Sequence, residues 1–293
     1  MFSRRVTLAV AGSIMLTVGL AGPVSAAKPS KPPASDPPSE RPLTAEELAA
    51  ADRKVAESDA YIASIRASGA DLVTLGCPSP TGSGPQAQVP AATCTVPQGY
   101  LAVEARDQIK GTYCGPATGQ VIANYSWAMR PGADKFTQAA IAVWMQTDRF
   151  GLTNAPELED GLEVATNRSP RRPVGWDWVV FDLRDRDADG STADELQGYV
   201  RSNVSGSKMP LAIPVKPHDP ISRYYLVSWP KAVKSPGHWI AAYGWYGNYT
   251  GTTFARVYYT DSSRDEGGST GKFWDPTRDI AALIGEHTRR IVW

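Results

Sequence analysis

The sequence is poor in the side chains most often used for covalent and acid–base chemistry, with only three cysteines and three histidines in 293 residues. It also lacks an excess of charge, because 30 basic residues balance 30 acidic ones. A neutral chain gives no electrostatic reason to bind nucleic acid or an anionic membrane, so we expect neither as a partner. An apolar content of 42% is enough to build one substantial hydrophobic core.

Only one long apolar run is present, and it lies near the first residue. Two arginines precede an uncharged stretch over residues 6–22, and small residues follow up to Ala26. This pattern predicts a signal peptide over residues 1–26, with an uncleaved anchor as the alternative. Because no second run of that length follows, we expect no stable membrane insertion after signal removal and a secreted, extracellular protein.

An odd number of cysteines in an exported protein leaves one of them without an intramolecular partner. Cys77 and Cys94 flank a segment rich in proline and glycine, and we expect them to form a disulfide. Closing that loop would stabilise the fold by about 3 kcal/mol. Cys114 is then a free thiol in an oxidising compartment, where a thiol is a liability unless it has a task. A buried, inert cysteine is the alternative interpretation.

Composition and hydrophobic pattern divide the rest of the chain into three parts. Residues 27–43 are rich in proline, serine and lysine and are predicted to be a disordered linker. Residues 44–95 hold a helix over 44–68, with Thr44 and Glu47 at capping-box spacing, followed by the disulfide loop. Residues 96–293 form the main domain, for which the pattern predicts helices at 114–129, 136–148, 192–202 and 276–288 and strands at 176–181, 210–215, 223–228, 238–246, 254–260 and 290–293. Helices first and antiparallel strands later indicate an α+β fold.

One segment of the main domain begins like a calcium-binding loop, from Asp185 to Gly190. Leu196 stands at the twelfth position, where such a loop needs a bidentate glutamate. Thr192 and Glu195 have capping-box spacing and account for the next stretch as the start of a helix. We therefore expect a polar turn, with a weak calcium site as the alternative.

The free cysteine lies at the start of a predicted helix, and one histidine lies at the start of a predicted strand. Cys114 opens a predicted helix, whose unpaired N–H groups and positive dipole end favour a thiolate. His238 begins an apolar predicted strand, which would hold its imidazole rigidly and away from water. We expect His238 to be the base that activates Cys114. His218, in a proline-bounded loop, and His287, near the end of the last helix, are the alternatives.

Two further residues complete the set that amide hydrolysis by a thiol requires. Asp261 follows the strand expected to pair with that of His238, where it can accept from the imidazole and fix its tautomer. A simple turn is the competing interpretation of Asp261, and Asp265 is the alternative orienting residue. Gln108 shortly precedes Cys114, where its amide can donate to an oxyanion beside the Cys114 backbone N–H.

The segment QIKGTYCGPA over residues 108–117, the pair Gly237-His238 and the turn Tyr259-Thr260-Asp261 together resemble the bacteriocin-processing (double-glycine leader) peptidase-like family. This family belongs to the papain-like cysteine peptidases, and the similarity covers roughly residues 99–265. The resemblance implies a papain-like fold, in which an N-terminal helical part carries the cysteine and an antiparallel sheet carries the histidine and aspartate. It also implies specific roles: Gln108 in the oxyanion hole, Cys114 as nucleophile, His238 as base and Asp261 as orienting residue.

These residues predict an exported cysteine peptidase that hydrolyses peptide bonds through a Cys-His-Asp triad and a thioester intermediate. We expect a peptide or protein substrate, a monomeric chain, and neither a cofactor nor a metal. Three alternatives stay open. The same site could serve a cell-wall peptide endopeptidase or amidase, it could catalyse acyl or peptidyl transfer, or the chain could be a non-catalytic secreted binding protein.

Overall fold

The computed structural model of the chain describes residues 41–68, 98–147, 153–186, 188–217, 224–229, 237–247, 255–263 and 268–293. The helices are α1 (Ala45–Ala67), α2 (Cys114–Ser126), α3 (Gln138–Trp144), α4 (Ala155–Thr166), α5 (Ala193–Arg201), which continues into a π-helical turn (Ser202–Ser207), and α6 (Thr277–Gly285). The strands are β1 (Gln98–Tyr100), β2 (Val180–Asp182), β3 (Leu211–Val215), β4 (His238–Tyr246), β5 (Arg256–Asp261), β6 (Gly271–Pro276) and β7 (Arg290–Val292). Helices together with an antiparallel sheet confirm the predicted α+β class.

The seven strands form one sheet in the order β2-β7-β3-β4-β5-β6, and β1 pairs with the far half of β4. Every pairing is antiparallel. β4 lies in the middle of the sheet, and β3 and β4 are buried almost throughout, as continuous apolar strands require. His238, the first residue of β4, faces Val215 of β3, so its backbone is fixed by a neighbouring strand.

The helix that carries Cys114 packs against the start of β4. Every residue of α2 after Cys114 is buried. The Thr118 hydroxyl donates to the backbone oxygen of Trp239 at 3.0 Å, which ties the first turns of α2 to the residue after His238. The indole N–H of Trp239 donates to the Thr153 backbone oxygen at 2.9 Å, just before α4. These contacts bring the start of a helix to the start of a strand that is distant in sequence.

Helix α1 packs against the main domain rather than standing apart from it. Its predicted capping box is confirmed, because the side chains and backbone N–H groups of Thr44 and Glu47 bond reciprocally. The Lys54 ammonium donates to the backbone oxygens of Asp177 and Trp293, each at 2.6 Å. Burial holds the pKa of Lys54 well below its usual range, and these two carbonyl oxygens accept from its amine. α1 is therefore anchored at the β2–β7 side of the sheet.

The predicted strand over 223–228 and the predicted capping box of Thr192 and Glu195 are both wrong, whereas the segment that begins at Asp185 forms hydrogen bonds typical of a polar turn. The described part of the 223–228 segment is not a strand, because residues 227 and 228 form a turn in which the Trp229 N–H donates to the Leu226 oxygen at 2.8 Å. The Thr192 and Glu195 capping box does not form, because Thr192 makes no side-chain cap and Glu195 accepts from the Arg186 backbone instead. In the calcium-like segment, the Asp185 carboxylate accepts from the Gly190 backbone at 2.8 Å, as in a polar turn.

Several predictions concern residues that lie outside the described ones. These are the signal peptide, residues 27–40 of the linker, the Cys77–Cys94 disulfide, His218 and Asp265. Within the described ranges, no helix has the length and apolar character needed to span a membrane.

Candidate active site

Cys114 is the first residue of α2, and its thiol is free and partly exposed. The preceding residue, Tyr113, offers no side-chain acceptor to the first N–H groups of the helix, and the first turn contains no acidic residue. The partial positive charge of the helix end is therefore not neutralised locally and acts on the sulfur. This is the environment that the sequence predicted for the free cysteine.

His238 links the thiol to a carboxylate. Its Nε2 lies 2.8 Å from Oδ1 of Asp261, and the same ring hydrogen-bonds the Cys114 thiol. Because Nε2 is taken by Asp261, Nδ1 is the ring nitrogen that is available to the sulfur. The ring is only 4% exposed, and its two partners fix its orientation. The structure thus brings together the predicted nucleophile, base and orienting residue.

Asp261 is held by four donors. Its Oδ1 accepts from His238 and from the Ser263 backbone N–H at 2.8 Å, and its Oδ2 accepts from the Ser228 hydroxyl at 2.7 Å and the Trp229 indole at 2.8 Å. Burial raises the pKa of this carboxyl, but the charge of His238 and the hydrogen bonds outweigh burial and lower it overall. The carboxylate stays ionised and cannot rotate without losing a bond.

The electrostatics favour a protonated imidazole. Burial alone would lower the pKa of His238. The charge of Asp261, its hydrogen bond and the contact with Cys114 outweigh burial and raise that pKa to about 10. An imidazolium is therefore the resting form at neutral pH, and a cation beside the sulfur favours the thiolate.

The imidazole–carboxylate bond is covered by Trp229. The Trp229 and His238 rings lie 5.2 Å apart in an edge-on arrangement, and Trp229 is fully buried. By excluding water from the bond between His238 and Asp261, the indole strengthens it. Neither Ser228 nor Trp229 was predicted as a site residue, because Ser228 ends, and Trp229 follows, a segment whose pattern is typical of an ordinary strand.

Gln108 lies next to the turn that follows Asp261. Its backbone N–H donates to the Ser262 oxygen at 3.0 Å, and the Ser262 hydroxyl approaches its Oε1 at 3.5 Å. Gln138 holds the same loop, accepting from the Ile109 N–H at 3.0 Å and donating to the Asp107 oxygen at 2.7 Å. With Oε1 turned towards Ser262, the amide end of Gln108 is left as the donor.

His287, one of the two alternative bases, supports the start of β4. It lies so close to Gly237 that a Cβ at that position would collide with its ring. Burial, with the positive charges of Lys216 and His238, lowers the pKa of His287 to about 4. The His287 ring is neutral above that pH, so near neutrality it cannot supply the cation that favours a thiolate.

No family model matches the chain, and no curated protein matches it in a sequence search. The family resemblance of the sequence therefore stays a prediction. The geometry itself supplies a thiol at a helix end, an imidazole on that thiol and an ionised carboxylate on the imidazole. Such an arrangement can generate a thiolate nucleophile and deliver a proton to a leaving group.

Proposed function

We propose that the chain is an exported, papain-like cysteine peptidase in which Cys114 attacks the carbonyl carbon of a peptide bond. The observation that carries this proposal is that the imidazole of His238 bonds Asp261 through Nε2 and also interacts with the Cys114 thiol. The placement of the cysteine on a helix and of the histidine and aspartate on an antiparallel sheet supports a papain-like arrangement. Export rests on the pattern of residues 1–26.

The first half of the reaction forms a thioester. The Cys114 thiolate attacks the carbonyl carbon, and the oxyanion that develops accepts from the Cys114 backbone N–H and the Gln108 amide. The His238 imidazolium then donates its proton to the amine of the leaving peptide, which departs as the thioester forms. Asp261 keeps the ring in place and stays ionised throughout.

The second half returns the enzyme to its starting state. His238, now neutral, removes a proton from water, and the hydroxide attacks the thioester carbon. The second tetrahedral intermediate uses the same oxyanion donors. Its collapse releases the carboxylic acid and the Cys114 thiolate, beside a protonated His238. An amine in place of water would give peptidyl transfer from the same thioester.

Gln108 provides a test of the oxyanion site. We expect Gln108→Ala to lower kcat by about 10²–10³ with little change in KM, because the amide acts only on the charge that develops in the transition state. Gln108→Glu should be equally impaired, since it keeps the size and the oxygen towards Ser262 but not the donor. Steady-state kinetics on one cleaved peptide measures both.

Ser262→Ala is the matched control for Gln108. It removes the 3.5 Å contact to Gln108 Oε1 and leaves both the amide and the backbone bond in place. Near-normal kcat is expected for this variant. A Gln108→Ala enzyme within twofold of wild type would remove Gln108 from the oxyanion site.

The proposed activity is tested with a diverse peptide library. The mature chain and Cys114→Ser should be incubated with the library, and the products read by mass spectrometry. New peptide termini are expected only with the wild type, at positions that share a sequence preference. If both proteins yield the same fragments, the cleavage belongs to a contaminant. If neither cleaves while both retain peptides, the chain is a binding protein.

A further inference from the structure

Three buried polar side chains continue from Asp261 into the interior, and we call Ser228, Tyr259 and Asp275 the interior chain. The Ser228 oxygen lies 2.7 Å from Asp261 Oδ2 and 3.1 Å from the Tyr259 hydroxyl oxygen. The Tyr259 oxygen lies 2.6 Å from Asp275 Oδ2. All three residues are at most 7% exposed, so their contacts are made without bulk water. The triad carboxylate is thus connected to a second buried carboxyl group.

The number of protons that the interior chain has for its hydrogen bonds depends on whether Asp275 is ionised. A serine hydroxyl and a tyrosine hydroxyl each have one proton to donate, whereas an ionised carboxylate has none. With Asp275 ionised, two protons must serve the three oxygen–oxygen contacts, and one contact has no proton. With Asp275 protonated, the proton order can run from Asp275 to Tyr259, from Tyr259 to Ser228 and from Ser228 to Asp261. Every contact is then a hydrogen bond.

The groups around Asp275 determine the pKa of its carboxyl group. Burial raises its pKa, the Tyr259 hydroxyl and the Val227 backbone N–H lower it, and the carboxylate of Asp279 raises it again, to about 6. Among the described residues, these groups on β5, the 224–229 segment and α6 are those that face it. Asp275 therefore changes its protonation near pH 6.

We propose that Asp275 is a positioning residue whose proton commits the Ser228 hydroxyl to the triad carboxylate Asp261. This inference rests on the proposed role of Asp261 as the residue that orients His238. When Asp275 loses its proton, Tyr259 turns its own proton towards Asp275, and the Ser228 proton is shared between Tyr259 and Asp261. Asp261 then loses one donor in part of the population, and its hold on His238 weakens as the pH rises through about 6.

Two variants lock the interior chain in opposite states. The Val227 N–H and the Tyr259 hydroxyl both contact Oδ2 of Asp275, at 3.0 and 2.6 Å, so an asparagine would place its carbonyl oxygen there and act only as an acceptor. Asp275→Asn therefore mimics the ionised state at every pH. Tyr259→Phe removes the competing oxygen, so Ser228 donates to Asp261 at every pH.

The experiment measures the alkylation rate of Cys114 by iodoacetamide in the full chain between pH 4.5 and 8, read from the mass of the peptide that contains it. The ratio of wild type to Asp275→Asn should be roughly threefold to tenfold below pH 5 and fall to about one above pH 7. The ratio of wild type to Tyr259→Phe should show the opposite course, near one at low pH and below one at high pH. Circular dichroism shows whether each variant is folded.

Ratios that do not change with pH would overturn the inference about Asp275, even if both variants are less reactive overall. If Tyr259→Phe does not fold, Asp275→Asn alone decides. The proposed function fails in a different way: Cys114 would then react equally in wild type and His238→Gln at every pH. The two failures are therefore distinguishable in one data set.

Discussion

A Cys114→Ala variant is expected to lose about 10⁶ in kcat for peptide hydrolysis, and adding His238→Gln to it should cost almost nothing more. The two residues act as one unit, because His238 has no proton to exchange once the sulfur is gone. The loss of kcat in His238→Gln alone should therefore be nearly as large as the loss in Cys114→Ala or in the double variant. Rates of the two single variants and the double variant on one cleaved peptide measure this non-additivity.

The fold should survive these changes. Cys114 is small and partly exposed, so alanine removes little packing, and glutamine at position 238 can still donate to Asp261. Thermal unfolding of each variant checks this. If the loss of kcat in the double variant equals the product of the two single losses, the residues act separately. A Cys114→Ala enzyme that keeps more than a trace of activity would exclude a thioester.

Asp261→Ala is expected to lower kcat by about 10⁴ with a much smaller change in KM. Without the carboxylate, the imidazole loses its fixed tautomer, and the buried Ser228 and Trp229 donors lose their acceptor. Ser263→Ala is the matched control, because only the backbone N–H of Ser263 bonds Asp261 and the substitution keeps it. This control should retain near-normal kcat.

Asp261→Asn removes the charge of Asp261 but keeps one acceptor oxygen, which can still serve His238 and the Ser263 N–H, while its NH2 group takes the place of Oδ2 beside Ser228 and Trp229. The negative charge is the strongest influence that raises the pKa of His238 to about 10, so the alkaline limb of the rate–pH profile should lie near pH 10 in the wild type. Deprotonation above that pH removes the proton needed by the leaving amine, which lowers the rate. In the asparagine variant the limb should move to lower pH. An unmoved limb would show that Asp261 does not set the protonation of His238.

The parts of the site that follow from local pattern could be predicted from the sequence. Cys114 stands before a Gly-Pro pair that starts a helix, and His238 stands before a long apolar strand. The adjacency of β4 and β5 then places Asp261 beside His238. Each step needs only a neighbouring element and the antiparallel rule.

The rest depends on contacts that no local pattern carries. Residues 224–229 alternate in exposure as a strand would, with Tyr225 and Val227 half exposed and Leu226 buried. Their actual shape is set by tertiary bonds, from the Leu226 N–H to Pro217 and from the Val227 N–H to Asp275. Those bonds also position Ser228 and Trp229 beside Asp261. Because they are tertiary contacts, neither residue could be predicted as part of the site from the sequence.

Helix α4 was also missed, although Asn154 and Glu157 form a complete capping box before it. Pro156 is compatible with the first turn of a helix, but Gly161 weakens the helical pattern because glycine is a poor helix former. The structure gives the reason for Gly161: a Cβ there would collide with Met145. Close packing of α3 on α4 thus outweighs helix propensity at this position.

The central claim is that His238 ionises Cys114, and the alkylation rate of Cys114 by iodoacetamide at pH 6 tests it most directly. His238 should activate the sulfur in the wild type, whereas His238→Gln leaves the sulfur without a group that can take up its proton. We predict a rate on the order of 100-fold higher for the wild type than for the folded His238→Gln variant. Equal rates in the two proteins would contradict the claim.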